Sequence, residues 1–400
     1  MSLQPLPDYS PGPPGETTMM AALELTMWLS IGIAAVAFVC YLVAIFVLCR
    51  SETRRAQQSQ RSQPPQPLPA TQMKRKSLRA AASGLQCALM ITSGWFCLTA
   101  SLQAQSSRAE SARSYLDRGN SWLKKGEWHR AIEDYSLGLS FDPNSADLYY
   151  NRGLARFQRH DQEGAAEDFT RALRLNPRLA GAWANRGYIR CLKGDFDGVI
   201  SDNTRAIELN PRLAEAWHNR GLALREKGHL DAALADFNTA LKLKSKVAAL
   251  WNSRGVARYL KGDLDGALAD HSEALRLDPR FAEAWMDRGL TRQAKGDLTA
   301  ALSDYDQSIA LNPGDADAWF NRGIAQRVKG DFKRALADFD QAINLNPRHA
   351  SAWGQRGIAK LLLGGEAAGD FAECLRLNPR LKPSLEALIS QTRQQMKSKP

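Results

Sequence analysis

The chain is poor in the residues and motifs that build metal centres, disulfide frameworks and hydrolytic active sites. Its 400 residues include six cysteines and six histidines. No Cys-x-x-Cys or Cys/His spacing occurs, so neither a zinc site nor a disulfide framework is indicated. Phosphate-binding loops, nucleophile elbows and His-Glu-x-x-His motifs are missing as well. We predict a protein that is not an enzyme and holds no metal and no cofactor.

A strong excess of one charge is also lacking. The 53 Lys and Arg residues stand against 42 Asp and Glu residues, and residues 112–400 hold 44 and 37 of these, interleaved along the chain. A protein that binds nucleic acid concentrates its positive charge on one face. We therefore expect a solvated surface of mixed charge and no nucleic-acid partner.

The first uncharged run of the chain predicts a transmembrane helix. Residues 25–49 contain no Asp, Glu, Lys or Arg. A helix of this length extends about 37 Å, which is enough to cross a hydrocarbon core of about 30 Å with some tilt. The preceding residues 1–24 are rich in proline, and we predict that they are disordered.

The segment after this helix predicts how the chain is oriented in the membrane. Residues 50–79 carry eight Lys and Arg residues and one acidic residue, around a Gln/Pro tract with too few apolar side chains to fold. Basic loops beside membrane helices lie on the cytoplasmic side. We expect a cytoplasmic linker at 50–79 and an amino terminus on the other side of the membrane.

A second uncharged run, residues 80–104, has more than one interpretation. It is either a second transmembrane helix or the apolar part of a secretory signal peptide that starts at Met73. The segment from Met73 has a basic start, an apolar middle and small residues at its end, with cleavage near Ala104. Met1 and Met73 are both candidates for the start of translation. Both interpretations export everything after residue 105, whereas a helix within a soluble protein is the third alternative.

Most of the remaining chain repeats one pattern every 34 residues. The pair Arg-Gly occurs at 118–119 and at each 34-residue step up to 356–357, with aromatic, alanine and proline residues at fixed offsets. This pattern resembles the tetratricopeptide repeat, and eight copies span residues 112–381. The resemblance implies an all-α fold, a right-handed superhelical solenoid of antiparallel helix pairs. With the segments described above, one or two transmembrane helices would precede it.

Three positions of the pattern predict how each copy folds. Glycine at position 8, as in Gly221, costs helix propensity and is tolerated where another helix approaches closely. Glycine at position 15, as in Gly330, suits a left-handed residue that ends the first helix. Proline at position 32, as in Pro347, cannot continue the second helix. Stacked copies can then cover the apolar faces that a single copy leaves open.

Two further positions predict a structural ladder. Every copy has arginine at position 7, and every copy has aspartate at or near position 23, as in Arg118 with Asp134 and Arg322 with Asp338. Because these two residues recur in every copy, a structural role is favoured. We predict a row of Arg–Asp pairs that joins the two helices of each copy. A charged binding stripe is the alternative.

The end of the chain is predicted to close the solenoid. Residues 382–400 are read as a capping helix and tail, with Ser384 as the N-cap. Its apolar stripe would consist of Leu385, Leu388, Ile389 and Met396.

The resemblance also implies where a partner binds. In this family, positions 2, 5, 9, 12 and 13 of the first helix line a concave groove that holds partner peptides. A competing interpretation is that the apolar residues at position 9 only seal neighbouring helices. The Lys and Arg residues that clamp a terminal carboxylate in some members are missing, and position 2 is often acidic, which favours a basic or mixed partner. The predicted groove residues are Tyr150, Leu154, Phe157, Tyr188, His218, Asn252, Tyr259, Met286, Phe320 and Ile324.

Taken together, these features predict a membrane-anchored, exported scaffold that binds a protein or peptide partner and helps to assemble an envelope complex. The membrane contacts would be residues 25–49 and, in one interpretation, 80–104. The repeats would lie outside the cytoplasm, in the periplasm of a Gram-negative bacterium. The alternatives are a soluble periplasmic carrier or assembly chaperone released near Ala104, and a non-catalytic targeting subunit of a separate enzyme. Self-association is compatible with each of them.

Overall fold

The structure is a computed structural model that describes residues 70–397. Within that range it contains 17 α-helices, one 3-10 helix and no strand, which confirms the all-α prediction. The predicted disordered terminus at 1–24, the predicted transmembrane helix at 25–49 and most of the predicted linker at 50–79 lie outside the described residues.

The helices follow one another in pairs joined by short turns. Helix α1 comprises Ala70–Lys124. Residues 112–397 belong to one compact unit and residues 70–111 to a second. The helices after α1 are α2 Trp128–Phe141, α3 Ala146–Gln158, α4 Gln162–Leu175, α5 Ala180–Leu192, α6 Phe196–Leu209, α7 Ala214–Glu226, α8 Leu230–Leu243, α9 Ala248–Lys261, α10 Leu264–Leu277, α11 Ala282–Ala294, α12 Leu298–Leu311, α13 Ala316–Lys329, α14 Phe332–Leu345, α15 Ala350–Leu362, α16 Ala368–Leu377 and α17 Lys382–Lys397.

The described part of the second unit, residues 70–111, is entirely helical. Residues 70–79, predicted to be part of an unstructured linker, are helical. Between residues 70 and 397, no helix has an apolar stretch of the length and hydropathy that a bilayer crossing requires. The second transmembrane helix predicted at 80–104 is therefore not supported, because serine, threonine, glycine and glutamine interrupt its apolar residues.

Glycine allows the two helices of each pair to approach closely. A Cβ atom built on Gly221 of α7 would lie 2.7 Å from Cε1 of Phe237 in α8. Gly289 of α11 and Tyr305 of α12 have the same relationship, also at 2.7 Å. Both rings are fully buried. The prediction of a close helix approach at this position is confirmed.

Two structural features recur in the turns between helices, a glycine C-cap and a tryptophan hydrogen bond. Gly262 and Gly330 end their helices with φ angles of 88° and 91°, as predicted for a left-handed C-cap. After the second helix of a pair, the indole Nε1 of a tryptophan donates a hydrogen bond to a carbonyl of the preceding turn, as Trp319 does to Pro313 at 3.0 Å. Trp251 donates in the same way at 2.7 Å although Ser245 replaces the proline, so this turn keeps the bond found at the others.

The Arg–Asp ladder is confirmed. Arg152 Nε and Nη2 donate to the two carboxylate oxygens of Asp168 at 2.9 and 2.7 Å. The same guanidinium donates through Nη1 to Ser136 Oγ of the preceding pair at 3.1 Å and lies 5.4 Å from the ring centre of Tyr149. A single arginine thus joins three helices, since Ser136 lies in α2, Arg152 in α3 and Asp168 in α4. Equivalent pairs are Arg118–Asp134, Arg186–Asp202, Arg220–Asp236, Arg254–Asp270, Arg288–Asp304, Arg322–Asp338 and Arg356–Asp370.

The C-terminal helix differs from the prediction at both of its ends. It begins at Lys382, directly after a 3-10 turn over Pro379–Leu381, so Ser384 lies in its first turn and donates to Leu381 O at 2.9 Å instead of serving as N-cap. Leu385 is buried, whereas Met396 is 40% exposed. Thr392 takes the place predicted for Met396 on the covered stripe, because it is buried and bonded to Leu388 O.

Candidate partner-binding face

The predicted groove residues separate into a covered group and an accessible group. Tyr150, Leu154, Phe157 and Asn252 are buried. The first three belong to one apolar cluster around Phe169, because bulky side chains from successive first helices fill the space between them. Leu154 is the member of this group at position 9, and its burial agrees with the competing interpretation that such residues seal neighbouring helices.

The accessible group is partly buried and extends along α5, α7, α9, α11 and α13. We call it the candidate face. It consists of Tyr188, His218, Tyr259, Met286, Phe320 and Ile324. Half-covered aromatic and aliphatic side chains of this kind combine a fixed orientation with exposed apolar area, which is the combination found at the centres of protein interfaces.

Aromatic contacts fix the two ends of the candidate face. The ring of Tyr188 meets Phe157 edge-on, with centroids 5.7 Å apart. Phe320 lies 4.6 Å from the ring of His349, and His349 Nε2 is 3.2 Å from Asp317 Oδ1. Since both rings are held by neighbours, a partner would meet a preformed surface and little side-chain freedom would be lost on binding.

Polar side chains occupy the centre of the candidate face. His218 Nε2 lies 2.9 Å from Ser253 Oγ, a residue of the next first helix. Asn252 Nδ2 donates to Asp287 Oδ2 at 2.7 Å, while its Oδ1 lies 2.7 Å from Nδ1 of His271. Because Asn252 Oδ1 can only accept, Nδ1 of His271 carries the proton and Nε2 is the unprotonated nitrogen.

Burial changes the acid–base properties of these groups. It lowers the pKa of His218 to about 4, with a smaller effect from the charge of Arg225, and it lowers the pKa of His271 to about 4 as well. Both imidazoles are therefore neutral at pH 7. Burial also raises the pKa of Asp287 to about 6, against the hydrogen bond from Asn252. At pH 7 this carboxylate is still mostly ionised, so the centre of the face carries one negative charge that takes up a proton more readily than an exposed aspartate does.

Sequence reasoning missed Ser253, Asp287 and His349. The contacts between first helices join residues 35 positions apart, as in His218 with Ser253 and Asn252 with Asp287. A search for complementary polar residues at that interval could have identified them.

Catalytic or metal-binding chemistry is not evident in the described range. Residues 70–397 contain no group of three His, Cys, Asp or Glu side chains placed to hold a metal ion. Among the cysteines of that range, Cys374 is buried and Cys191 partly buried. Burial raises the pKa of both thiols, which disfavours the reactive thiolate.

Family comparisons match most of the region that contains the helix pairs. Profiles described as tetratricopeptide repeat match residues 146–179 and the overlapping segments 204–246, 218–280, 272–315, 286–350 and 323–380. A profile described as TPR repeat matches residues 119–159. Together these matches cover more than half of the chain. A comparison with curated proteins finds no match.

Solved structures share the arrangement of helices at low sequence identity. A chain of the APC/C hetero-tetramer Cut9–Hcn1 is 19% identical with a TM-score of 0.55, over 61% of this chain and 48% of that one. A tetratricopeptide repeat protein from Parabacteroides merdae is 18% identical with a TM-score of 0.50, over 62% and 99%. YrrB, described as a TPR protein with an unusual peptide-binding site, is 26% identical with a TM-score of 0.38, over 47% and 96%. This chain spans about half the length of the Cut9–Hcn1 chain that it matches.

Proposed function

Because the chain belongs to the tetratricopeptide-repeat family, we propose that it is a non-catalytic scaffold that binds a segment of a partner protein, with eight repeats over residues 112–381. The observation that carries the proposal is the candidate face. Its six side chains differ from repeat to repeat, whereas the ladder arginines and aspartates do not. Residues that vary on a constant framework are suited to recognition.

The chemistry of the face favours a partner segment with apolar side chains and one basic group. Tyr188 at one end and Phe320 at the other are partly exposed aromatic rings. Asp287 lies between them in the chain, and no ion pair is found for it among the described residues. A Lys or Arg of the partner would stabilise its charged form and lower its raised pKa.

Cross-linking in intact cells, followed by mass spectrometry of the captured proteins, tests this proposal. Tyr188→Ala combined with Phe320→Ala should release the captured partner. Leu311→Ala is the matched control, because Leu311 is an exposed apolar residue of a second helix, away from the face. Capture that is unchanged by the double substitution would contradict the face. If the captured protein is a second copy of this chain, the scaffold acts through self-association.

We further propose that the scaffold is anchored in a membrane and exported, where it helps to assemble an envelope complex. The support is in the sequence: an uncharged run at 25–49 followed by a basic segment at 50–79. In a Gram-negative bacterium the repeats would be periplasmic. Alkaline phosphatase fused after Pro400 should be active, since it requires the oxidising side of the membrane, and activity of a cytoplasmic reporter at the same position would contradict export.

A soluble carrier or assembly chaperone is the second candidate. The observation that favours it is the basic, apolar and small-residue order of the segment from Met73 to Ala104. The mass of the protein purified from cells decides between the two. A mature chain that starts near Gln105 indicates release, whereas an intact chain indicates anchoring.

A further inference from the structure

One helix pair departs from its neighbours in a way that leaves acceptor atoms without a donor. In four other pairs, an arginine near the end of the first helix contacts the ladder aspartate. Arg258, for example, reaches Asp270 Oδ2 at 3.0 Å and donates to the carbonyl of Gly266 at 3.2 Å. Its Nε also lies 3.7 Å from Asp263. The other three such arginines are Arg156, Arg190 and Arg292.

Gln326 occupies this position in α13. Its side chain is 9% exposed, and its Oε1 is buried without a hydrogen-bond partner. Asp338 consequently binds one arginine, Arg322, and burial together with the charges of Asp306 and Asp331 raises its pKa. A buried acceptor without a donor is rare in folded proteins and calls for an explanation.

The same residue lines a cavity of about 600 Å³ that opens to solvent. Leu302 and Leu363 contribute apolar walls, and Asp306 and Asp331 contribute carboxylates. Asp331 stands where its counterparts meet the missing arginine, but its Oδ1 accepts from Arg334 N at 3.1 Å and its Oδ2 lies 3.4 Å from Arg334 Nε. Exposed Arg334 also lines the cavity, so an incoming guanidinium would share Asp331 with it. Asp306 accepts a hydrogen bond from Arg322 at 2.7 Å through one of its two oxygens.

The pair that contains Leu224 also lacks this arginine, yet it has no comparable group of acceptors. Leu224 fills the equivalent place in α7 with an apolar side chain, and His229 stands where the aspartate would be. Donor and acceptor have changed together there. At Gln326 the acceptors remain and only the donor is lost.

Two lysines on the rim of the cavity interrupt the row of ion pairs between turns, since one lacks its usual acidic partner and the other replaces an acidic residue. Along the preceding turns, a lysine after each first helix pairs with an acidic residue of the pair before it, as in Lys193 with Glu163 at 3.8 Å and Lys295 with Asp265. Lys329 faces Thr299 at the corresponding positions, and Lys333 replaces the next acidic residue. The rim is therefore positive while the interior presents acceptors.

We propose that this cavity binds an arginine of a partner protein that has a carboxylate beside it. The guanidinium takes the place of the missing arginine, against Gln326 Oε1 and Asp331, and the carboxylate meets Lys329 and Lys333. A planar group with five N–H donors matches several acceptors at once better than an ammonium does. This site lies at the turns, apart from the candidate face, and does not depend on the proposed function.

A ligand-observed NMR titration of the full-length protein with N-acetyl-L-arginine tests the proposal. N-acetyl-citrulline, which keeps the shape but not the charge, should not bind. N-acetyl-arginine amide, which lacks the carboxylate, should bind at least about threefold more weakly. Equal binding of the arginine and citrulline compounds, or no binding of either, would overturn the proposal.

Gln326→Arg is the decisive variant, because it places the missing guanidinium inside the protein. It should weaken binding of N-acetyl-L-arginine by about tenfold or more while raising the thermal midpoint. Gln326→Met, which removes the acceptor without adding charge, should also weaken binding. Leu224→Arg adds the same charge in another pair and should leave binding unchanged. Undiminished binding by folded Gln326→Arg protein would place the ligand elsewhere. Binding of N-acetyl-L-arginine does not depend on whether the Tyr188→Ala and Phe320→Ala double variant releases its partner. The proposed cavity site and the proposed candidate face can therefore fail independently.

Discussion

Arg220 donates hydrogen bonds of 2.7 and 2.8 Å to the two carboxylate oxygens of Asp236. Asp236 is 4% exposed, and Leu224 provides no second cation, so Arg220 is the one arginine whose removal leaves this carboxylate without its charged partner. A buried charge without its partner is strongly destabilising, whereas replacing both partners with apolar side chains is close to neutral.

We therefore expect a non-additive pair of substitutions at this position. Asp236→Leu alone should lower the free energy of unfolding by about 3 kcal/mol, and Arg220→Leu by a similar amount. The double variant should lie within about 1 kcal/mol of the unmodified protein. Urea unfolding of the four proteins at pH 7 gives the coupling energy. Additive losses would show that the pair contributes no specific interaction.

Gly221→Ala should destabilise the protein by about 1–3 kcal/mol, because the added Cβ would lie 2.7 Å from Cε1 of buried Phe237. Gly369→Ala is the matched control, since a Cβ there meets no atom within 4 Å. The control should be neutral or slightly stabilising, through lower entropy of the unfolded chain. Thermal midpoints measured by circular dichroism compare the two, and equal shifts would contradict the packing argument.

His271 should make stability depend on pH. Its folded pKa of about 4 lies below the ordinary value of 6.5, so the folded state binds fewer protons than the unfolded state. This contribution is present in full above pH 6.5 and is lost as the pH falls toward 4. His271→Phe removes this titrating group. Between pH 7 and pH 4.5 the free energy of unfolding of the variant should therefore fall by about 2 kcal/mol less than that of the unmodified protein.

The comparison between the two pH values isolates this effect. His218 titrates in both proteins, and its contribution therefore cancels in the difference, whereas Asp287 is linked to His271 through Asn252 and its titration has to be followed in both proteins. The loss of the hydrogen bond to Asn252 lowers stability at both pH values and cancels as well. An unchanged pH dependence in His271→Phe would show that the imidazole becomes protonated without opening the structure.

The C-terminal helix should depend on Leu385 and not on Met396. Leu385 is 6% exposed and its Cδ1 would lie 3.5 Å from a Cβ built on Gly354. Leu385→Ala should cost about 2–3 kcal/mol, and Met396→Ala less than about 0.5 kcal/mol. Hydrogen exchange of α17 measures both. Equal protection in the two variants would mean that this helix does not cap the last pair.

The sequence predicted the framework well because the framework repeats. Gly221, Arg220 and Asp236 each stand in a position whose chemistry recurs at a fixed interval, so one physical reason explains every copy. The Arg–Asp ladder could be predicted for that reason, although nothing in the sequence next to Arg220 indicates a partner 16 residues away.

The candidate face was predicted less well because burial depends on neighbours. Tyr150 and Tyr188 belong to the same face by helical periodicity, yet Tyr150 is 2% exposed and packs in an apolar cluster, while Tyr188 stays partly open. The polar contacts of Asn252 also join different repeats, which a position-by-position reading of one repeat does not reveal.

For the six ladder arginines from Arg152 to Arg322, the two neighbours stand at equal distances along the chain. Ser136 and Asp168 lie 16 residues before and after Arg152. Removing or duplicating one of these internal repeats therefore rebuilds the same type of bond across the new junction, whereas the last pair, with Asp370 only 14 residues after Arg356, does not follow this spacing. A chain of this design can become longer or shorter by recombination between copies without new compensating substitutions in its interior, and only the end helices have to remain in place.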